Sequence, residues 1–338
     1  MATTSMDPSR LQVAARAALG SNVSVSNIRQ MSGHAGFTYG FDLSDSTSGS
    51  TRGAILKMGP QGVARRGAAD IFRQATLLSA LRRDGIPVPE ILWADEAEVA
   101  LGAPYIVMAM VPGRQRLPLL EAVEPQVDPA ELGIWREGVS ALMQLDDFPA
   151  LERLGNWQSP ISCGEEFASW EATLRKATVP GWIDLGLRTR DALAERMPRS
   201  PKVALVHGDF QPANLMSAGG TLTSIIDWDL AHIGSSGLDA GWLMMWADRE
   251  YWGPHWQTWS PYEPGEIARL YLERVRIEPS TLHWFHAHAG YRFGAITCLN
   301  LRLHRNGKRP DPIWELFALD VPRLFARARQ LAELLPRT

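Results

Sequence analysis

The stretch Val203-Ala-Leu-Val-His-Gly-Asp-Phe-Gln-Pro-Ala-Asn-Leu-Met216, followed by Ile225-Ile-Asp-Trp-Asp-Leu230, constrains this chain most. The apolar run Val203 to Val206 fits a buried strand that delivers His207-Gly208-Asp209 into a turn-rich loop. Asn214 lies five residues after Asp209, and a second apolar strand is expected to end on Asp227 and Asp229. Two carboxylates and an amide at the ends of short strands form a cluster of hard oxygen donors, which suits Mg²⁺ on a nucleotide phosphate. Polar groups of this kind are costly to place beside a core without a purpose.

The remaining sequence fits a two-lobed α+β organisation. Residues 9–19 read as a short amphipathic helix ended by Gly20. Strands are expected near 23–30, 37–43, 53–58, 90–94 and 104–110, with a Ser/Gly-rich turn at 44–53. A helix over 66–83 interrupts them, carrying Ile71, Ala75, Leu77, Leu78 and Leu81 at helical spacing. After Val111-Pro112-Gly113 the pattern turns helical, with helices at 128–145, 164–177, 183–197, 237–248, 264–275, 281–304 and 312–334. Residues 1–110 are therefore expected to form a strand-rich lobe of five antiparallel strands with one inserted helix, and residues 111–338 a mainly helical lobe.

Composition limits the function classes. A net charge of −3 gives no electrostatic reason to expect nucleic acid or an anionic membrane as partner. Cys163 and Cys298, the two cysteines, are far apart and indicate neither a disulfide framework nor a CxxC metal site. No signal peptide or bilayer-length apolar run is evident, so a soluble cytoplasmic protein is expected.

Two features of the first lobe bear on nucleotide binding. Met31-Ser-Gly-His-Ala-Gly-Phe37 lies between two expected strands, where glycines let backbone N–H groups approach a phosphate and Ser32 adds a hydroxyl. By itself, a glycine-containing hairpin needs no function. Lys57, in Ala54-Ile-Leu-Lys-Met58, needs an anionic partner if its head group is buried; the alternative is an edge-strand lysine reaching solvent.

With these residues in place, the chain resembles the kinase-like phosphotransferases, which include the aminoglycoside phosphotransferases. His207-Gly-Asp-Phe-Gln-Pro-Ala-Asn214 and Ile226-Asp-Trp-Asp229 match that family's two motifs, with Asp227 thirteen residues after Asn214. The likeness continues in Arg29-Gln-Met-Ser-Gly-His-Ala-Gly-Phe-Thr-Tyr39, Ile86-Pro-Val-Pro89 and Gly102-Ala-Pro-Tyr-Ile-Val-Met-Ala-Met-Val-Pro-Gly113. It is nearest the branch related to the kinase-like domain fused to some acyl-CoA dehydrogenases.

The resemblance implies a protein-kinase-like fold and a phosphotransferase that uses ATP, with GTP as the alternative nucleotide, and Mg²⁺. Asp209 would accept or orient the proton of the acceptor hydroxyl, and Asn214 and Asp227 would hold the metal. Lys57 would bind the α- and β-phosphates beneath the turn Ser32, Gly33, His34, Ala35 and Gly36. Backbone groups of Ala109 and Val111 would meet the adenine, and Asp239 would brace the catalytic loop from a helix start. Two departures stand out. Gln74 occupies the place of a glutamate that normally pairs with the lysine, so Lys57 is expected to lack a charge-assisted partner. His34 and Ala35 replace a common glycine.

The acceptor is less defined. Seven of thirteen tryptophans lie between 228 and 284, and the segment Tyr251–Trp259 could line an apolar wall. Thirteen Lys/Arg against ten Asp/Glu over 240–338 complement a polycationic aminoglycoside poorly. A neutral, apolar or anionic small-molecule hydroxyl is therefore expected. The competing functions are an antibiotic phosphotransferase, a nucleotide-binding module without turnover, and a metallo-hydrolase built on His207, Asp209, Asp227, Asp229 and His232. His207 reads as a packed structural histidine. His283, His286 and His288 share one helix, where core histidines are the ordinary reading and zinc the alternative.

Overall fold

A computed structural model describes residues 7–31, 37–59, 70–115, 129–256 and 262–337. Two compact units emerge: Met1–Arg114 with Met216–Ala218 and Leu222–Leu230, and Gln115–Leu215 with Gly219–Thr221 and Ala231–Thr338.

In the first unit, helix α1 (Pro8–Leu19) is capped by the Asp7 carboxylate, which accepts the Ser9 N–H. Strands β1 (Val23–Met31), β2 (Phe37–Asp45) and β3 (Ser50–Met58) follow, then helix α2 (Arg73–Arg83), β4 (Ile91–Asp95) and β5 (Tyr105–Ala109). The strands form one antiparallel sheet in the order β1-β2-β3-β5-β4. Alternation decides its faces: Ala54, Leu56 and Met58 of β3 are buried with Leu11, Ala14, Phe41 and Val107, whereas Ile55 and Lys57 point to the other side. Beside the inserted α2, the helix expected at 9–19 is present as α1, which buries Leu11, Ala14 and Ala15 against the sheet.

The segment after residue 215 joins this unit through backbone bonds. Arg114 and Ser217 exchange N–H···O=C bonds at 2.9 and 3.1 Å, and the Ile225 N–H donates to the Pro87 carbonyl at 2.7 Å. Strands β7 (Leu215–Ala218) and β8 (Thr221–Ile225) form a two-stranded ladder, which follows β6 (Val203–Val206) in the chain. The expected strand stops at Ile225, short of the carboxylates. Asp227 adopts φ 64° and Trp228–Leu230 form a 3₁₀ turn, so the chain leaves the ladder before either aspartate. A left-handed backbone is uncommon for a non-glycine residue, and aspartate is among those that tolerate it.

The second unit is mainly helical. It contains α3 (Pro129–Asp147), α4 (Ala150–Leu154), α5 (Cys163–Leu174) and α6 (Trp182–Ala194) before β6. A capping box between Ser162 and Glu165 starts α5. β6 pairs antiparallel with β9 (His232–Ser235). Helices α7 (Leu238–Ala247), α8 (Pro264–Arg274) and α9 (Pro279–Arg305) complete the frame. Every residue of α7 is buried, which explains why it shows no polar face.

The expected helix over 312–334 is instead two, α10 (Ile313–Ala318) and α11 (Val321–Glu333). Pro322 cannot continue a helix interior, and Asp320 at the break accepts from the Gly253 N–H at 2.9 Å and the Trp256 indole at 2.5 Å.

Six of the seven tryptophans between 228 and 284 serve the core. Trp228, Trp242, Trp246, Trp252, Trp256 and Trp284 are all buried, with Trp246 and Trp252 stacked at 5.0 Å. Of the expected aromatic wall, residues 257–259 lie outside the described residues, and Tyr251, Trp252 and Trp256 are buried in packing. His286 lies 3.3 Å from Asp248, and His288 stacks on Trp284 at 5.1 Å. Among the described residues no helix is long and apolar enough to cross a membrane.

Candidate active site

Each unit carries one polar cluster built from residues singled out by the sequence. In the first unit the cluster is centred on Lys57. β3 lies in the middle of the sheet, which rules out the edge-strand reading, and the lysine side chain is only 12% exposed. Its ammonium donates to Asp227 Oδ1 at 3.2 Å and, more closely, to Asp229 Oδ1. Burial opposes the charge on Lys57, but the two aspartates outweigh it and hold its pKa above the ordinary lysine value. The expectation that Lys57 lacks a charged partner is therefore corrected. The carboxylate comes from Asp229 rather than from α2, because the turn after β8 brings it beside the sheet.

Gln74 belongs to the same cluster. It is buried on the inner face of α2, and its amide Nε2 donates to Asp229 Oδ1 at 2.7 Å. One buried oxygen thus receives both an ammonium and an amide. Asp227 differs: its side chain is 41% exposed and makes one contact with the lysine at 3.2 Å.

Ala109 ends β5, and its N–H donates to the Glu90 carbonyl at 2.8 Å. Any contact of Ala109 with a base therefore has to use its carbonyl. Val111 follows two residues later and is half-buried. Ser32, Gly33, His34, Ala35 and Gly36 lie outside the described residues.

In the second unit the cluster is the loop after β6. Gly208 has φ 84°, a left-handed conformation that a side chain would strain, and it turns the chain sharply at the strand end. Asp239, in the first turn of α7, accepts the His207 N–H at 2.6 Å and the Gly208 N–H at 2.9 Å. Arg292 of α9 donates to the Gly208 carbonyl at 2.5 Å, with its guanidinium 4.6 Å from the Trp242 ring centre and 4.9 Å from that of Trp170. His207 is fully buried, and its Nδ1 accepts the Asp209 N–H at 3.2 Å, so it is a structural histidine.

Asp209 is held from three sides. Trp242 Nε1 donates to Oδ1 at 3.0 Å, while Gln211 Nε2 and Asn214 Nδ2 donate to Oδ2 at 2.8 and 3.0 Å. Asn214 Nδ2 also donates to the Asp209 carbonyl at 2.9 Å. With its nitrogen committed twice, the buried Asn214 amide has its oxygen left as an acceptor, the atom a hard cation requires. Trp242 and Gln211 were not identified from the sequence. Gln211 sits inside the motif, two residues from Asp209, and its polarity was the available signal; Trp242 looked like one more apolar residue of a buried helix.

The geometry counts against the hydrolase reading. His207 Nδ1 is occupied by a backbone N–H, and Asp229 by Lys57 and Gln74, so neither is presented as a metal ligand. Among the described residues no three His, Cys, Asp or Glu side chains gather in a metal-ligating group. The Asn214 amide oxygen in the second unit and the Asp227 carboxylate in the first are each a hard oxygen donor, the kind a magnesium ion takes beside water and phosphate.

The comparisons with known proteins agree with these motifs. Acyl-CoA dehydrogenase family member 10 of Mus musculus is 26% identical over 206 residues, covering 60% of this chain and 18% of that protein. The chain thus matches less than a fifth of the length of that curated relative. A structure of a candidate aminoglycoside phosphotransferase from Ralstonia eutropha JMP134 is similar with a TM-score of 0.77 at 18% identity, covering 98% of this chain and 100% of the other. A thermostable mutant of aminoglycoside phosphotransferase APH(4)-Ia, in ternary complex with ADP and hygromycin B, is similar with a TM-score of 0.60 at 16% identity, covering 94% and 98%. At those identities the likeness is one of fold, and the α+β architecture is the protein-kinase-like fold. The sequence itself matches the phosphotransferase enzyme family over residues 43–270, well over half of its length, and the chain belongs to that family.

Proposed function

We propose that this enzyme transfers the γ-phosphoryl group of ATP, in the presence of Mg²⁺, to a hydroxyl of a small molecule. The reading rests most on Asp209, a carboxylate at the end of the β6 loop that accepts from the Trp242 indole, Gln211 and Asn214. The Asp209 carboxylate would take the proton of the acceptor hydroxyl as its oxygen bonds to the γ-phosphorus. ADP would leave with the bridging oxygen. Little covalent machinery is needed, because positioning and charge neutralisation supply most of such catalysis.

Lys57 would neutralise the α- and β-phosphates, and the turn at Ser32–Gly36 would cover them. The carbonyl of Ala109 and the N–H of Val111 would recognise the base. Asn214 and Asp227 would hold Mg²⁺, which when bound offsets phosphate charge and orients the β- and γ-groups. Residues 1–110 are the proposed nucleotide-binding lobe and 111–338 the proposed acceptor-binding lobe.

For the acceptor, the similar APH(4)-Ia structure contains hygromycin B, which makes an antibiotic a legitimate alternative. The charge of the C-terminal third favours instead a neutral, apolar or anionic molecule. The buried tryptophans lend that preference no further support.

The test is a screen of hydroxylated metabolites and drugs by acceptor-dependent ADP release, with Asp209→Ala as blank. ATP with Mg²⁺ should raise the melting temperature of both proteins, and only the wild type should transfer phosphate. Transfer that persists in Asp209→Ala removes the catalytic assignment. Kanamycin turned over as well as by a dedicated resistance enzyme removes the acceptor preference.

A further inference from the structure

We infer that Arg292 is a positioning residue for the transfer step: from α9 it fixes both the peptide that leads into Asp209 and the indole that holds the Asp209 carboxylate. The inference rests on the phosphotransferase reading above, and it gives one buried cation the task of orienting the proposed base.

Every contact lies within the second unit. Arg292 is 2% exposed, and its Nη2 donates to the Gly208 carbonyl at 2.5 Å. That carbonyl shares one planar peptide with the Asp209 N–H, which donates to His207 Nδ1 at 3.2 Å. The peptide is thus held at both ends, by a guanidinium at its oxygen and by a buried imidazole at its nitrogen. With the plane fixed, the Asp209 Cα cannot swing about the permissive Gly208.

A second route runs through the side chains. The guanidinium lies 4.6 Å from the Trp242 ring centre, and Trp242 Nε1 donates to Asp209 Oδ1 at 3.0 Å. A cation over an indole face is attracted to its π electrons, which pins the ring and strengthens its N–H as a donor. Trp170 brings a second ring, 4.9 Å from the guanidinium, and its own Nε1 donates to Glu166 Oε1 at 2.8 Å.

Packing alone does not account for an arginine here. Its Nε and Nη1 are buried without a hydrogen-bond partner. A buried cation with unfilled donors costs stability, and an apolar side chain of similar volume would fill the space without that cost. Two ring faces and Glu166 offset part of it. Burial works against the Glu166 carboxylate, and Arg292 leads the groups that hold its pKa below the ordinary value. A cation kept on those terms, bonded to the residue before Asp209, serves the loop that it touches.

Hydrolysis of Mg·ATP tests the assignment with water as the acceptor. The water oxygen would bond to the γ-phosphorus, its proton would pass to Asp209, and ADP would leave with the bridging oxygen. Arg292→Gln should lower kcat by roughly 100-fold, the loss that follows a displacement of about 1 Å at a reacting group. Affinity for Mg·AMP-PNP, measured by calorimetry, should fall far less. In an Asp209→Asn background the same substitution should cost no further turnover, because nothing is left to position. A packing role would lower turnover in both backgrounds. Arg292→Lys keeps the charge without the planar fork and should restore only part of the loss.

Wild-type kcat in folded Arg292→Gln, or an equal fold-loss in the Asp209→Asn background, overturns the proposal. Circular dichroism and melting curves report folding. If Arg292→Gln fails to fold, Arg292→Lys decides by the same cycle, and full turnover in it is a refutation. If the wild type binds Mg·AMP-PNP without hydrolysing Mg·ATP, hydrogen exchange decides. The amides of 207–209 should then exchange faster in Arg292→Gln, and unchanged exchange again refutes the role. A wild-type protein that binds no nucleotide defeats the functional reading and this inference together. An active wild type with an unaffected Arg292→Gln defeats the inference alone.

Discussion

Replacing Asp239 with alanine withdraws the acceptor from two backbone N–H groups at once. Its carboxylate takes the His207 N–H at 2.6 Å and the Gly208 N–H at 2.9 Å, and all three residues are buried. Burial pushes the Asp239 pKa up, and the two donors pull against it. Each orphaned buried donor costs about 1–3 kcal/mol, so with both lost and the buried charge relieved we expect a net loss of about 4 kcal/mol. Against a typical stability of about 5–15 kcal/mol the protein still folds, with a melting temperature lower by on the order of 8 °C. Function should suffer more. The loop that Asp239 ties down turns through Gly208 at φ 84° and carries Asp209, whose carboxylate depends on three donors from separate positions. Acceptor-dependent ADP release should therefore collapse, while a smaller melting shift caused by Mg·ATP persists, because Lys57 and Asp227 belong to the other unit and only Asn214 lies on the loosened loop. Asp239→Asn should not rescue transfer, since its amide turns one donor toward another. Urea denaturation and turnover measured on the same preparations decide the matter. Wild-type stability and turnover in Asp239→Asn would refute the bracing role.

Two further predictions concern the helical unit. A Cβ on Gly241 would lie 2.4 Å from the Phe285 carbonyl carbon and 2.6 Å from its oxygen, where backbone meets backbone between α7 and α9. Gly241→Ala should therefore lower stability by about 3 kcal/mol in chemical denaturation, and an unchanged midpoint would show that the helices have room to separate. His288 is stacked on Trp284, and burial is the main cause that lowers its pKa from 6.5 to about 4, with Glu166 raising it and Arg292 lowering it. The native protein keeps this ring neutral while the unfolded chain protonates it, so the contribution is complete above pH 6.5 and is lost as pH falls toward 4. The loss amounts to about 3 kcal/mol, so His288→Phe should flatten the acid limb of the stability profile; identical limbs for the two proteins would count against the assignment.

Local pattern carried much of the fold. The turn-separated β runs and alternating burial of Ala54, Leu56 and Met58 were readable because a strand's period is written in adjacent residues. The helical periods of α2, α3, α5, α6, α8 and α9 were readable for the same reason. The four-residue β7 and β9 were missed, since Leu-Met-Ser-Ala and His-Ile-Gly-Ser acquire strand character only from partners elsewhere in the chain. The fused reading of α10 and α11 failed because the apolar spacing continues across a break set by Pro322 and by what Asp320 binds. Tryptophan density suggested a binding wall, yet whether an indole faces solvent or core depends on the neighbours that folding supplies.

The sequence by itself determined the family: Asp209, Asn214 and Asp227 stand at fixed offsets beside apolar strands, and those offsets were enough to place it. Tertiary structure decided how the reactive groups are held. The bond from Gln74 to Asp229 spans 155 residues, and that from Trp242 to Asp209 spans 33. A motif records spacing along the chain, whereas a buried charge selects its partner by proximity in space. For that reason Gln74, which read as the loss of a counter-charge, became legible as the brace of one only once Asp229 was seen beside it.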